Sequence, residues 1–214
     1  MSKSILIIGA GEGLSTAVAE KFGEQGYGIG LISRNLENVK ALSKKISRLG
    51  YNTKFATADA GNAVSLVQAI KAIKEQLGSI DVLLYNAAAV KAQDIMTETS
   101  ESLSHDLLVN AGGALDAVKF LREDLKQANG SVLITGGGLA NHPHPLYGSI
   151  SVGKAAIRNL ALQLHERLKD EGIYVGTLTI NNMITPDSAT HTPQMVAEQF
   201  WKLFTEKNTA ELQY

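Results

Sequence analysis

Short apolar runs alternate with helix-length segments along the whole chain, and that alternation leaves few folds open. The runs lie at 5–8, 28–32, 55–58, 82–85, 132–135 and 173–180. Each is continuously apolar and does not alternate with polar residues, as expected of strands buried on both faces. The segments between them carry apolar residues at helical spacing, such as Leu36, Val39, Leu42, Ile46 and Leu49, or Val64, Val67, Ile70, Ile73 and Leu77. A long helical pattern is predicted over 102–126, another over 149–169, and a last helix over 193–205, with a short tail strand near Leu212. Strict β–α alternation implies a mostly parallel, doubly wound sheet of six or seven strands with helices on both faces. No linker or repeat divides the chain, so residues 1–214 are expected to form one α/β domain.

Composition narrows the function classes. Lys and Arg number 20 against 21 Asp and Glu, and no basic block stands out, so neither nucleic acid nor an acidic membrane surface is an expected partner. The chain has no cysteine, which excludes disulfides, thiolate zinc sites and a cysteine nucleophile, and fits a cytoplasmic location. The N-terminal apolar stretch is too short for a signal-peptide core or a membrane span.

The first apolar run ends in GAGEGLS, residues 9–15. The spacing Gly-x-Gly-x-x-Gly fails because Leu14 takes the last place, whereas Gly-x-x-x-Gly-x-Ser fits through Gly9, Gly13 and Ser15, with Gly11 between them. A glycine at the end of a strand lets the chain turn sharply. A second lets backbone approach a pyrophosphate, and the helix that follows offers free N–H groups and the positive end of its dipole. A strand before and a helix after supply the context that a bare glycine cluster lacks. The turn therefore predicts a Rossmann fold with a dinucleotide seated at Gly9, Gly11, Gly13, Leu14 and Ser15. Past the second run stand Ser33, Arg34 and Asn35 where a carboxylate would receive the ribose hydroxyls of NAD. A guanidinium beside a hydroxyl suits a 2′-phosphate and favours NADP(H) over NAD(H). Glu12 opposes that reading by like-charge repulsion.

These residues resemble the short-chain dehydrogenase/reductase family over almost the whole chain. The glycine turn is similar to that family's Gly-x-x-x-Gly-x-Gly, with Ser15 for the last glycine. The resemblance implies an adenine contact at Asp59-Ala60. It also implies cofactor contacts at Asn86 and Ala87 within Tyr85-Asn86-Ala87-Ala88, a helix asparagine at Asn110 that supports a water and the catalytic lysine, that lysine at Lys154, and a carboxamide contact at Thr185. It implies hydride transfer between NADP(H) and a small carbonyl or alcohol.

The departures lie at the chemistry. The family's catalytic tyrosine, four residues before the lysine, falls on Ile150, and its serine falls on Gly137 within TGGGL. The usual Pro-Gly after the sixth strand is Ile180-Asn181. The pattern from Tyr147 to Lys154, with the glycines of 136–138 before it, resembles a divergent subgroup of the family that lacks this serine and tyrosine. Tyr147 is the candidate replacement acid: on a continuous helix it shares a face with 150 and 154, about 4.5 Å along the axis from the family position. Packing or a subunit contact is the competing reading of Tyr147. Two functions stay open, an oxidoreductase with Lys154, Asn110 and Tyr147 at its catalytic centre, and a catalytically silent NADP(H)-binding sensor or partner-dependent protein.

His142 and His144 stand two apart in a proline-rich loop with no carboxylate nearby, a weak metal pattern best read as loop. No Gly-x-Ser-x-Gly elbow exists for a Ser-His-Asp hydrolase. Phe200, Trp201 and Phe204 mark the packing face of the last helix, with a substrate-pocket wall as the second reading. Few residues follow Thr185, so a short lid is expected. The helices at 102–126 and 149–169 resemble the family's subunit interface and imply a homodimer or homotetramer.

Overall fold

The computed structural model describes residues 3–214. Seven strands form one sheet: β1 (Ser4–Ile8), β2 (Gly28–Ser33), β3 (Thr53–Thr57), β4 (Val82–Tyr85), β5 (Ser131–Thr135), β6 (Tyr174–Thr179) and β7 (Glu211–Gln213). Their order is β3-β2-β1-β4-β5-β6-β7, and every described pairing is parallel. The chain order reverses between β1 and β4. In open α/β sheets, ligands bind at that switch point beyond the carboxyl ends of the strands.

The helices are α1 (Leu14–Glu24), α2 (Leu36–Arg48), α3 (Ala63–Leu77), α4 (Ser100–Leu107), α5 (Gly113–Ala128), α6 (Gly148–Leu168) and α7 (Pro193–Glu206). Successive residues of β1 point to opposite faces. Leu6 and Ile8 join the core beneath α3, α5 and α6, while Ile5 and Ile7 join the core beneath α1, α2 and α7. Both cores therefore grip the strand that feeds the glycine turn. Phe22 of α1, with no exposed surface, meets Trp201 and Phe204 of α7 at ring-centroid distances of 5.0 and 5.3 Å. The aromatic face of the last helix is packing against α1, and neither ring borders the cavities described below.

Short polar side chains start most of the helices. Asn35 accepts from Asn38 N, Asn62 from Ser65 N, Thr99 from Ser102 N, and Thr192 from Met195 N ahead of Pro193. Helix α1 differs: Gly13 stands at its cap position and supplies no side-chain bond.

Two expectations about helices need correction. The predicted continuous helix over 102–126 is α4 and α5 joined by a π turn, Leu108–Gly112. Apolar spacing does not reveal a single inserted residue, and π turns inside helices are frequent at functional sites. Tyr147 does not lie on a continuous helix with Ile150 and Lys154. It is the cap residue of α6, at φ −127° and ψ 48°, held out of the helix by a bridge to Gln93. Among the described residues, no helix is long and apolar enough to cross a membrane.

Candidate active site

Two cavities lie at the carboxyl ends of the strands. The smaller, about 230 Å³, spans the switch point. Its lining includes Gly9 and Ala10 after β1, Ser33 and Arg34 at β2, Ala58 and Ala60 after β3, and Asn86 and Ala87 after β4. The larger, about 840 Å³, lies beside it over β5 and β6. Thr135, the glycines of 136–138, Tyr147, Ile150, Lys154 and 180–184 line it, with Gln213 from β7. Val90 borders both.

The glycine turn is built for close approach. Gly9 has φ +85°, and a Cβ there would lie 2.3 Å from Ala87 N and 2.7 Å from Asn86 C. Only glycine lets β1 turn against the β4 loop. Gly13 also has φ +85°, but a Cβ there would meet nothing within 4 Å, and the same open space surrounds Gly11. The uncapped amides of α1 thus face an open approach. With no acidic residue in the helix's first turn, they suit an anion. Leu14 and Ser15 are buried. Ser15 Oγ donates to Gly9 O at 3.3 Å and receives Asn86 Nδ2 at 3.1 Å, so the serine in the last glycine's place fastens the turn from beneath. Open backbone, free amides and the adjoining cavity fit the pyrophosphate and adenosine half of a nicotinamide dinucleotide.

Arg34 is exposed at the mouth of the smaller cavity, with no ion pair among the described residues. Asn35 is occupied as the cap of α2, its Oδ1 accepting Asn38 N at 2.9 Å. Asp59 Oδ1 accepts Gly61 N at 2.9 Å, and its neighbours Ala58 and Ala60, rather than Asp59, border the cavity. Thr185 borders neither cavity, and its N–H donates to His191 O at 3.3 Å.

Asn86 is the hub of the site. Its Nδ2 donates to Gly9 O at 3.1 Å, and its Oδ1 accepts Thr135 Oγ1 at 2.8 Å. Thr135 O in turn accepts Lys154 Nζ at 2.8 Å. One chain of hydrogen bonds thus runs from the glycine turn to the lysine. Lys154 projects from the second turn of α6 into the larger cavity, and burial pushes its ammonium from about 10.5 down to about 8. Gly137 leaves the lysine stem open, since a Cβ there would sit 3.4 Å from Lys154 Cε, in ordinary contact.

Asn110 stands in the π turn. Its Oδ1 accepts Ala89 N at 2.8 Å, which pins the loop after β4, and its buried Nδ2 has no protein partner. Gly153, directly before the lysine, makes room for it: a Cβ there would lie 2.3 Å from Asn110 Nδ2. Tyr85 was not singled out from the sequence. Its phenol, fully buried at the end of β4, donates to Val109 O at 2.5 Å inside the π turn, and burial pushes its pKa well above the usual range. The apolar wall from Ile180, Met183 and Ile184 was also missed, because a loop carries no periodicity to read.

Residues 3–195 match the family model described as short chain dehydrogenase. The chain belongs to the short-chain dehydrogenase family. Its curated relatives include the oxidoreductase asL5 of Sarocladium schorii, 27% identical over 207 residues that cover 96% of this chain and 80% of that protein. Another is the 2,5-dichloro-2,5-cyclohexadiene-1,4-diol dehydrogenase LinX of Sphingobium indicum, 27% identical over 198 residues, or 92% and 79% of the two chains. Among solved short-chain dehydrogenase-like folds, a putative oxidoreductase from Escherichia coli K-12 superposes with a TM-score of 0.90 at 18% identity, covering 100% of this chain and 95% of that one. A metagenomic short-chain oxidoreductase solved in complex with NADP gives 0.85 at 18% identity, covering 100% and 96%.

Proposed function

We propose that the protein is an NADP(H)-preferring oxidoreductase that interconverts a small carbonyl compound and its alcohol. One observation carries the reading: the hydrogen-bonded chain Gly9–Asn86–Thr135–Lys154 joins the cavity at the glycine turn to a second cavity lined by a part-buried amine. When bound, the dinucleotide supplies or accepts a hydride. The chain's own residues do the rest. Gly9, Gly11, Gly13 and the amides of α1 receive the pyrophosphate. Ser33 and Arg34 receive the adenosine ribose, with Arg34 paired to a 2′-phosphate. Asn86 and Ala87 line the smaller cavity as cofactor contacts, and Asp59, Ala60 and Thr185 are proposed as further ones. Asn110 holds the loop at Ala89, while Leu139, Ile150, Ile180 and Ile184 give the larger cavity an apolar lining for the substrate.

Gly137 and Ile150, at the family's serine and tyrosine positions, support the reading that the protein falls in a subgroup without those two side chains. They also supply the ground for the second reading, a dinucleotide sensor without turnover. A lysine in the larger cavity whose burial brings it down to about 8 favours the enzyme, because such a group matches proton transfer near physiological pH. Fluorescence titration with NADPH and NADH, followed by a panel of aldehydes and ketones, tests both. NADPH is expected to bind at least tenfold tighter than NADH, and Arg34→Ala to erase most of that difference. Absence of binding to either dinucleotide would overturn both readings, and binding without turnover would leave the sensor. We also propose a homodimer or homotetramer built on α5 and α6.

A further inference from the structure

Carbonyl reduction leaves negative charge on oxygen, so the group that quenches it must stand where the two cavities meet. Three proton-bearing ionisable side chains border the larger cavity: His142, Tyr147 and Lys154. His142 and Tyr147 lie on the exposed loop between β5 and α6. The Tyr147 ring rests edge-on against His144, with centroids 5.7 Å apart. Lys154 alone is wired to the junction, through Thr135 O at 2.8 Å and from there through Thr135 Oγ1 to Asn86, which borders the smaller cavity. One of its three N–H bonds is spent on Thr135 O. Nothing stands between its stem and the space over Gly137, and Ile150, one turn earlier on α6, offers no proton of its own.

We propose that Lys154 is itself the general acid and base of this site, giving its proton directly to the substrate oxygen without a phenol as intermediary. This rests on the proposed hydride-transfer function. In reduction, the carbonyl carbon gains a hydride from the reduced nicotinamide dinucleotide, and the π pair of the C=O bond passes to oxygen. That oxygen takes a proton from the Lys154 ammonium. The products are the alcohol, the oxidised dinucleotide and a neutral amine, which solvent reprotonates. Oxidation runs the same steps backward and needs the neutral amine at the start. No charged side chain contributes to the acidity of Lys154, which follows from burial alone, so the amine holds both forms near pH 8.

The test pairs kinetics with a readout that needs no turnover. Cofactor-free protein is pulse-acetylated between pH 6 and 11, and Lys154 labelling is followed by peptide mass spectrometry. The labelling midpoint is expected at about 8, two or more pH units below the surface lysines. With saturating NADPH, kcat for reduction is expected to fall above pH 8, and kcat for oxidation with NADP to rise through the same pH. Lys154→Met should lose both limbs and at least 100-fold in kcat. Methylamine should restore part of that loss if the variant still binds NADPH by fluorescence. Tyr147→Phe should keep the limb at about 8 whatever its rate. A labelling midpoint near that of surface lysines overturns the proposal. So does a limb near 10, where phenols titrate, that disappears in Tyr147→Phe. Turnover by Lys154→Met at wild-type kcat overturns it as well. Dinucleotide binding with no turnover by the wild type removes the oxidoreductase reading and this proposal together. The other three results remove the proposal alone.

Discussion

Gly9 and Gly13 share the same positive φ and differ in surroundings, so alanine at each separates strain from collision. Both have φ +85°, and Gly13 at ψ −119° lies outside the left-handed helical well, so a Cβ costs on the order of 1–3 kcal/mol. At Gly13 that is the whole cost, since nothing lies within 4 Å of the added carbon. At Gly9 the carbon would also sit 2.3 Å from Ala87 N and 2.4 Å from Ala87 Cα. These are backbone atoms, held by Asn86 N donating to Ile8 O at 2.8 Å, and they cannot swing aside as a side chain would. Such overpacking adds about 1–3 kcal/mol, for a total of about 2–6 kcal/mol in Gly9→Ala. With a urea slope of about 2 kcal/mol/M, the midpoint should drop by about 1–3 M for Gly9→Ala and about 0.5–1.5 M for Gly13→Ala. Affinity separates the two further. Gly13→Ala should weaken NADPH at least tenfold in fluorescence titration while most of its stability remains, because the new methyl fills the open approach to the α1 amides. A Gly9→Ala midpoint equal to that of Gly13→Ala would refute the assignment of Gly9 to backbone contact. Undiminished NADPH affinity in Gly13→Ala would refute the assignment of the open turn to the pyrophosphate.

Tyr85→Phe strips the partner from the buried Val109 carbonyl and should cost about 1–3 kcal/mol by urea unfolding, with faster amide exchange confined to the π turn. Gly153→Ala drives a methyl into Asn110 Nδ2 and should release the Ala89 amide, seen as lost exchange protection at residue 89 along with reduced turnover. Lys154→Met should be more stable than wild type at neutral pH. The folded lysine titrates at about 8 and the unfolded one near 10.5, so the unfolded chain binds more protons between those values. The burial penalty is complete below pH 8 and disappears as pH rises past 10.5. It is worth about 3 kcal/mol by the shift, and about 2 kcal/mol net of the lost bond to Thr135 O. The stability difference between Lys154→Met and wild type should therefore shrink from pH 7.5 to pH 10.5, and a difference independent of pH would contradict the buried-amine assignment.

The central strands were legible because burial of both faces leaves short apolar runs bounded by turn residues, whereas β3, half-buried at the sheet edge, begins two residues before its run at 55–58. The runs at 82–85 and 132–135 coincide with β4 and β5 to within a residue. Seating of the glycine turn was legible for a similar local reason, a strand, a turn and a helix in sequence. What escaped depends on contacts far apart in the chain. The π turn is secured by Tyr85, 24 residues away. Nothing in the heptad-like spacing of Leu103, Leu107, Ala111 and Ala114 distinguishes i→i+5 hydrogen bonding from i→i+4. Tyr147 leaves the helix because Gln93 O receives Gly148 N at 3.1 Å, a pairing that no local propensity encodes. Asn35 and Asp59 sit at the expected places in the sequence, yet their side chains are turned to backbone amides at a helix cap and a loop turn.

The π turn between α4 and α5 also governs which changes in chain length the protein tolerates. Its extra residue rotates everything upstream by about 100° relative to α5. Asp106, two residues before it, reaches Lys91 Nζ at 2.9 Å, and the same amine holds the buried Glu98. A one-residue deletion between 108 and 112 would relax the turn to regular helix and leave Leu121 and Leu125 of α5 in place. It would swing Asp106 away from Lys91 and Asn110 away from Ala89. Point substitutions across 108–112 are therefore expected to be better tolerated than single deletions, and a deletion scan through the whole 100–128 stretch should show its sharpest minimum there.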